Sequence, residues 1–120
     1  MTYDEFNDFC GALRGTNHVI QWRGAHVWKV GSKVFAIGGL AADAPAFIFK
    51  VDAIDFDVLC EQPGLRPAPY FASRGMKWVQ HHGPDGPPDA ELRALLQASH
   101  RIVASGLTRK ARRELGFDSG

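Results

Sequence analysis

The side chains that could carry chemistry in this chain are five histidines, two cysteines and a set of lysines and arginines. His81 and His82 are adjacent, so on a strand they point to opposite faces and cannot bind one ion together. Cys10 and Cys60 fall at apolar helical positions, outside any CxxC pair, where a buried and inert thiol is usual. No GxSxG nucleophile motif is present. We therefore expect free thiols, no metal site, no cofactor and no catalytic residue.

The basic residues are the clearest functional signal. Phosphate binding needs several such charges on one surface, whereas isolated Lys and Arg residues are common on any solvated strand or helix end. The basic residues fall in three groups, which predicts a nucleic-acid interface if the groups converge in space. They lie in the first hairpin (Arg23, Lys29, Lys33), around the second (Arg66, Arg74, Lys77) and in the C-terminal segment (Arg109, Lys110).

Length and composition predict one compact domain over residues 1–120. The chain is 45% apolar and carries a formal net charge of +1, so no global field favours nucleic acid. The sequence has no signal-like start and no apolar run long enough to span a bilayer. We expect a cytoplasmic protein without membrane attachment, in which residues 107–120 form a basic helix or tail.

The first half of the chain predicts a helix followed by a meander of strands. Thr2 and Glu5 fit a capping box, and the helix that they start is expected to end at Gly15. "VIQW" reads as a possible strand, and "GS" at 31–32 reads as the two-residue turn of a hairpin. "AFIFKV", residues 46–51, is the next strand.

A second helix is expected over residues 53–61, after Asp52 as its N-cap. Its apolar residues Ile54, Val58 and Leu59 are expected to face the sheet. "LRPAPYFASRG" is irregular or a broken strand, because it holds two prolines.

The last third predicts a strand and the longest helix. "MKWVQHH" alternates as a strand does. Asp89 is the expected cap of a helix that ends at Gly106, and "TRKARREL" is a short basic helix or a frayed tail. The order is α, three or four strands, α, one or two strands, α. The fold class is therefore α+β, an antiparallel sheet with helices packed on one face.

Six segments of the sequence occur in an order that covers nearly its whole length. They are "FC" at 9–10, "HVWKVGSKVFAIGGL" at 26–40, "FKVD" at 49–52, "GLRPAPY" at 64–70, "KWV" at 77–79 and "PDAELRALLQASHRIVASGLTRKAR" at 88–112. With these segments the sequence resembles the MmcQ/YjbR-like family of small bacterial domains. In the last helix the family usually has a Tyr after the Ser, and here that position is His100.

The resemblance implies a fold like that of CyaY or the secretion chaperones, with β-elements that look like two wings. It also implies a DNA-binding role, in which the wings grip the phosphate backbone of double-stranded DNA without sequence preference. A protein- or peptide-binding adaptor that uses the sheet face or edge stays open, and exposed apolar residues at Trp22 or Trp28 would favour it. A small-ligand site would need a deep pocket. We expect a monomer or a weak dimer.

Overall fold

The structure is a computed structural model that describes residues 1–40, 45–69, 71 and 75–117. Within that part of the chain it contains six strands and four helices. In chain order these are α1 (Tyr3–Gly11), β1 (Thr16–Gln21), β2 (Ala25–Val30), β3 (Lys33–Gly38), β4 (Ala46–Lys50), α2 (Ala53–Leu59), β5 (Leu65–Pro67), β6 (Trp78–His82), α3 (Asp89–Ser105) and α4 (Arg109–Glu114). None of these helices is both long and apolar enough to cross a bilayer.

The six strands form one antiparallel sheet in the order β1-β2-β3-β4-β6-β5. The first four strands follow the chain, whereas β6 lies between β4 and β5. Pro67 lies in β5, an outer strand, where a residue without an N–H is tolerated. The α+β class and the antiparallel sheet predicted from the sequence are confirmed.

The main core lies between the sheet and the helices on one of its faces, which we call the helix-bearing face. Phe6 and Cys10 of α1 and Leu92 and Leu96 of α3 are fully buried against this face. Phe35 is also buried in this cluster, and strand alternation brings Phe47, Phe49 and Val79 to it as well.

The opposite face, which we call the helix-free face, has a second apolar cluster. Val27, Ile37 and Ile48 are almost inaccessible there, and Trp78 is buried beside them. Phe71 packs against this cluster from the segment between β5 and β6, with its ring centroid 5.6 Å from that of Trp78. The sheet is therefore apolar on both faces, but helices cover only one of them.

Local signals explain most element boundaries. The Thr2 hydroxyl accepts from the N–H of Glu5, and the Glu5 carboxylate accepts from the N–H of Thr2, so the capping box is present. Gly31 has a φ of 60° in the turn between β2 and β3, as the predicted hairpin requires. Gly106 is the C-cap of α3, and Thr108 caps the short basic helix α4.

Three sequence predictions about the helices were wrong in detail. Helix α1 ends at Gly11 rather than Gly15, because the chain turns there and the Thr16 hydroxyl bonds to the carbonyl of Leu13. The N-cap of α3 is Pro88, and Asp89 is the first helical residue. Ile54 and Val58 of α2 are exposed by 81% and 58%, instead of facing the sheet.

The orientation of α2 follows from its largest apolar residues. Phe56, Leu59 and Cys60 pack against the main core. A helix of seven residues has room for one buried stripe, so the side chains on its other side point to solvent.

Candidate nucleic-acid interface

Three cationic side chains lie on the helix-free face, where strand alternation and register place them. Residues directly opposite each other in antiparallel strands share a face. Lys50 is opposite Trp78, and Lys29 is opposite Val34, both of which belong to the apolar cluster of this face. Arg66 is opposite Gln80, which in turn is opposite Ile48.

The strands carry no compensating negative charge. None of the six strands contains an Asp or Glu, although the chain has 13 acidic residues. Although the formal net charge is only +1, the charges are unevenly distributed, because the charged residues within the strands are all Lys or Arg. The acidic residues within the helices are Asp4, Glu5 and Asp8 of α1, Asp55 and Asp57 of α2, Asp89 and Glu91 of α3, and Glu114 of α4.

Two neighbouring grooves, which we call the aromatic grooves, share lining residues with each other, and Lys50 lines the first of them. The first has a volume of about 380 Å³, and its lining includes Trp22, Phe71, Trp78 and the lysines Lys33 and Lys50. The second, about 460 Å³, shares Trp22 and Phe71 with the first. Each groove therefore offers aromatic rings, and the first also offers ammonium groups.

Backbone strain is concentrated at the turn that presents Trp22. The three turn residues between β1 and β2 all have positive φ, at 49° for Trp22, 65° for Arg23 and 91° for Gly24. Only Gly adopts this region without cost, so Trp22 and Arg23 are held in a disfavoured conformation. The result is a Trp side chain that is 49% exposed and lines both aromatic grooves.

The basic residues predicted from the sequence do not form one surface. Lys29 and Arg66 lie on the helix-free face, as described above. Arg23 is exposed in the turn between β1 and β2, whereas Arg109 and Lys110 are exposed on α4. Arg74 lies outside the described residues.

Two of the predicted lysines contact groups on the helix side of the molecule. The Lys33 ammonium group donates to the carbonyl of Gly106 at 3.0 Å, at the end of α3. The ammonium group of Lys77 lies over the Phe56 ring of α2, 4.8 Å from its centroid. Lys33 still lines the first aromatic groove, but Lys77 is directed toward the helices.

Arg66 is oriented by a buried amide. Its Nε donates to Oε1 of Gln80 at 2.7 Å, and Gln80 is fully buried. Among the described residues, the Nε2 of Gln80 has no hydrogen-bond partner. Gln80 is thus a buried polar side chain whose Oε1 orients a cation at the edge of the sheet.

Lys50, Trp22 and Phe71 were not among the residues predicted from the sequence for this site. Lys50 had a usable signal, because it follows Phe47 and Phe49 at the position where strand alternation points away from them. The position of Phe71 had no such signal, since Phe71 lies outside the strands and reaches the sheet face through tertiary contacts.

The adjacent histidines of β6 point to opposite faces, as expected. His81 pairs with Phe47 and Leu65 on the helix-bearing side, and its Nε2 lies 2.8 Å from the carbonyl oxygen of Pro87. Burial lowers the pKa of His82, and Arg66 and His81 lower it further. Among the described residues, no group of three or more His, Cys, Asp or Glu is arranged to hold a metal ion.

Solved structures share this architecture. A crystal structure of the Deinococcus radiodurans protein DR2400, with a DUF419 domain, is 24% identical and has a TM-score of 0.83, covering 99% of this chain and 91% of that one. A Pseudomonas syringae protein, structural genomics target PsR293, is 19% identical with a TM-score of 0.68, covering 86% and 99%. A search of curated proteins found no match.

These similarities define a small α+β domain with an antiparallel sheet and helices on one face. The sequence profile of the YjbR family matches residues 11–102, which is more than half of the chain. The protein belongs to the YjbR family.

Proposed function

We propose that this protein binds nucleic acid through the helix-free face of its sheet, without catalysis. The observation that carries the proposal is the charge segregation: Lys29, Lys50 and Arg66 share this face, and no strand contains a carboxylate. A local cationic surface attracts phosphates even when the total charge is only +1, because screening limits the reach of more distant acidic residues to about 10 Å.

The aromatic grooves extend the proposal to the bases. Unpaired bases stack on aromatic side chains, and each such contact contributes about 1–3 kcal/mol in single-strand-binding proteins. Trp22 and Phe71 are placed for such contacts beside Lys50. The bases of a duplex are already stacked, so it would use the lysines and Arg66 alone. We therefore expect single strands to bind more tightly than duplexes of equal length.

Fluorescence anisotropy with labelled single-stranded and duplex DNA of 20–30 nucleotides tests the proposal, with titrations at low and moderate salt. The double variant Lys29→Gln, Lys50→Gln should bind more weakly. Its slope of log affinity against log salt should be smaller by about two, about one for each phosphate contact removed.

The matched control carries the same change of charge elsewhere. Arg109→Gln, Lys110→Gln removes two exposed cations from the α4 segment, whose Ala111 and Leu115 pack against the main core on the helix-bearing side. Equal losses in the two double variants would contradict binding at the helix-free face, and the absence of any binding at low salt would refute a nucleic-acid role.

A second candidate, a peptide-binding adaptor, is favoured by the outer strand β1. Its sequence, TNHVIQ, contains no Pro and no Lys, which commonly protect sheet edges, and Ile20 within it is 58% exposed. An extended peptide would add to this edge through backbone hydrogen bonds.

Selection from a random-peptide display library provides the test. Selected peptides should bind the wild type but not Ile20→Lys, which places a charge on the edge strand. Val58→Lys is the control because Val58 on α2 is equally exposed. Peptides that bind both variants alike would exclude the β1 edge.

A further inference from the structure

Two histidines of the hairpin formed by β1 and β2 bring their ring nitrogens together on the helix-bearing side of the sheet. His18 of β1 is opposite Trp28, and Ile20 is opposite His26, so the two histidines are diagonal neighbours on one face. The Nε2 of His18 lies 3.3 Å from the Nδ1 of His26. Their rings are nearly parallel, with 11° between the planes.

Surrounding side chains fix the orientation of both rings. The Trp28 ring stacks on His18 with a centroid distance of 4.7 Å, and the Trp28 indole N–H donates to Oδ1 of Asn7 at 2.9 Å. This bond leaves the Asn7 amide nitrogen facing Nδ1 of His26 at 3.4 Å. The Tyr3 ring lies against His26 on another side. The pair is therefore preorganised by α1 and β2.

The separation of the two nitrogens matches a chelate. With Zn–N bonds of about 2.0–2.1 Å and a tetrahedral angle, two imidazole nitrogens on one ion are about 3.4 Å apart. We propose that Nε2 of His18 and Nδ1 of His26 form a two-ligand site for a divalent transition ion of the Zn²⁺ class, with water in the other positions. This proposal is independent of the proposed function, because the lysines lie on the other face.

Ion binding needs a shift of tautomer and the release of the Asn7 amide nitrogen from Nδ1 of His26. In the ion-free pair, one of the two ring nitrogens donates a hydrogen bond to the other. When the ion binds between the two nitrogens, the ring proton of His18 is on Nδ1 and that of His26 is on Nε2. Both rings then stay neutral, and no proton is released.

Isothermal titration calorimetry with Zn²⁺ alone, at pH 7.5, tests the site. The wild type should bind one equivalent, and His18→Gln should weaken binding at least tenfold. His18 is exposed, so this variant is expected to keep the fold. His82→Gln is the control, since it removes a histidine from the far side of the sheet and should leave binding unchanged.

A second measurement identifies the ligands directly. In NMR spectra, Zn²⁺ should shift the ring resonances of His18 and His26 and leave those of His81 and His82 in place. Equal affinity in the wild type and His18→Gln would overturn the proposal, as would shifts confined to His81 and His82.

Discussion

The hydroxyl of Ser99 on α3 donates to the carbonyl oxygen of Phe35 in β3 at 2.7 Å. It also accepts from the N–H of Lys50 in β4 at 2.8 Å. The pairing of β3 with β4 ends at Ala36 and Phe49. The Ser99 hydroxyl therefore connects the two strands just beyond their last backbone pair. The opening beyond this pair contributes to the first aromatic groove, which is lined there by Lys50 and Val103.

We expect Ser99→Ala to destabilise the protein by about 2–4 kcal/mol. The variant leaves one buried carbonyl and one N–H unpaired, and each such group costs about 1–3 kcal/mol. Urea denaturation gives the change in free energy of unfolding. Ser105→Ala is the control, because Ser105 is exposed and its hydroxyl donates to the carbonyl of Ile102 in its own helix. Similar values for the two variants would contradict a bridging role for Ser99.

Gly64 and Gly75 allow backbone strain to be separated from steric contact. Both have a φ of 77°. A Cβ at Gly75 would meet no atom of the described residues within 4 Å, so Gly75→Ala should cost only about 1 kcal/mol. A Cβ at Gly64 would lie 2.2 Å from the Cα of Gly86, so Gly64→Ala should cost about 1–3 kcal/mol more. Thermal unfolding of both variants checks the difference, and equal melting temperatures would show that the contact relaxes freely.

The stability of the fold should fall as the pH drops through 6.5. The pKa values of His18 and His82 are both lowered from 6.5, so the unfolded chain binds more protons in this range. Above pH 6.5 the neutral rings contribute their full share of the free energy of unfolding. This contribution is lost as the pH falls toward the lowered pKa values of the folded state. Urea denaturation from pH 7.5 to 5.0 with EDTA should show a shallower dependence for His18→Gln than for the wild type. Gln97→Asn, on the exposed side of α3, should keep the full dependence.

The two thiols should differ strongly in reactivity. Burial raises the pKa of Cys10, which is fully buried. Burial and Asp57 raise the pKa of Cys60 as well, but this thiol is only partly buried. A colorimetric disulfide reagent should therefore modify Cys60 first and Cys10 only when the protein unfolds. Cys60→Ala should remove the fast phase, and its persistence in that variant would contradict the assignment.

Local signals in the sequence were sufficient for much of the fold. The capping box at Thr2, the turn at Gly31 and the apolar period of α3 each act within a few residues, so they are visible in one dimension. The exposure of Ile54 and Val58 was not visible, because which stripe of α2 is buried depends on the position of the sheet.

The candidate site was harder to predict than the fold, for a physical reason. Whether Lys29 and Lys50 share a face depends on the register across β2, β3 and β4, and the bulge between Trp28 and Lys29 alters that register. The closeness of His18 and His26 depends on the pairing of β1 with β2. Residue types alone therefore indicated phosphate binding. Which of the cations share one surface could be read only from the pairing of the strands.

The strand order also constrains how the chain folds. β5 is made before β6, yet its only strand neighbour is β6, which itself pairs with β4. The meander of β1 to β4 can assemble from contacts between consecutive strands, whereas β5 is attached to this meander through its antiparallel partner β6. We therefore expect the pairing of β6 with β4, which spans α2 and β5, to be a slow step of folding, because it joins residues far apart in the chain.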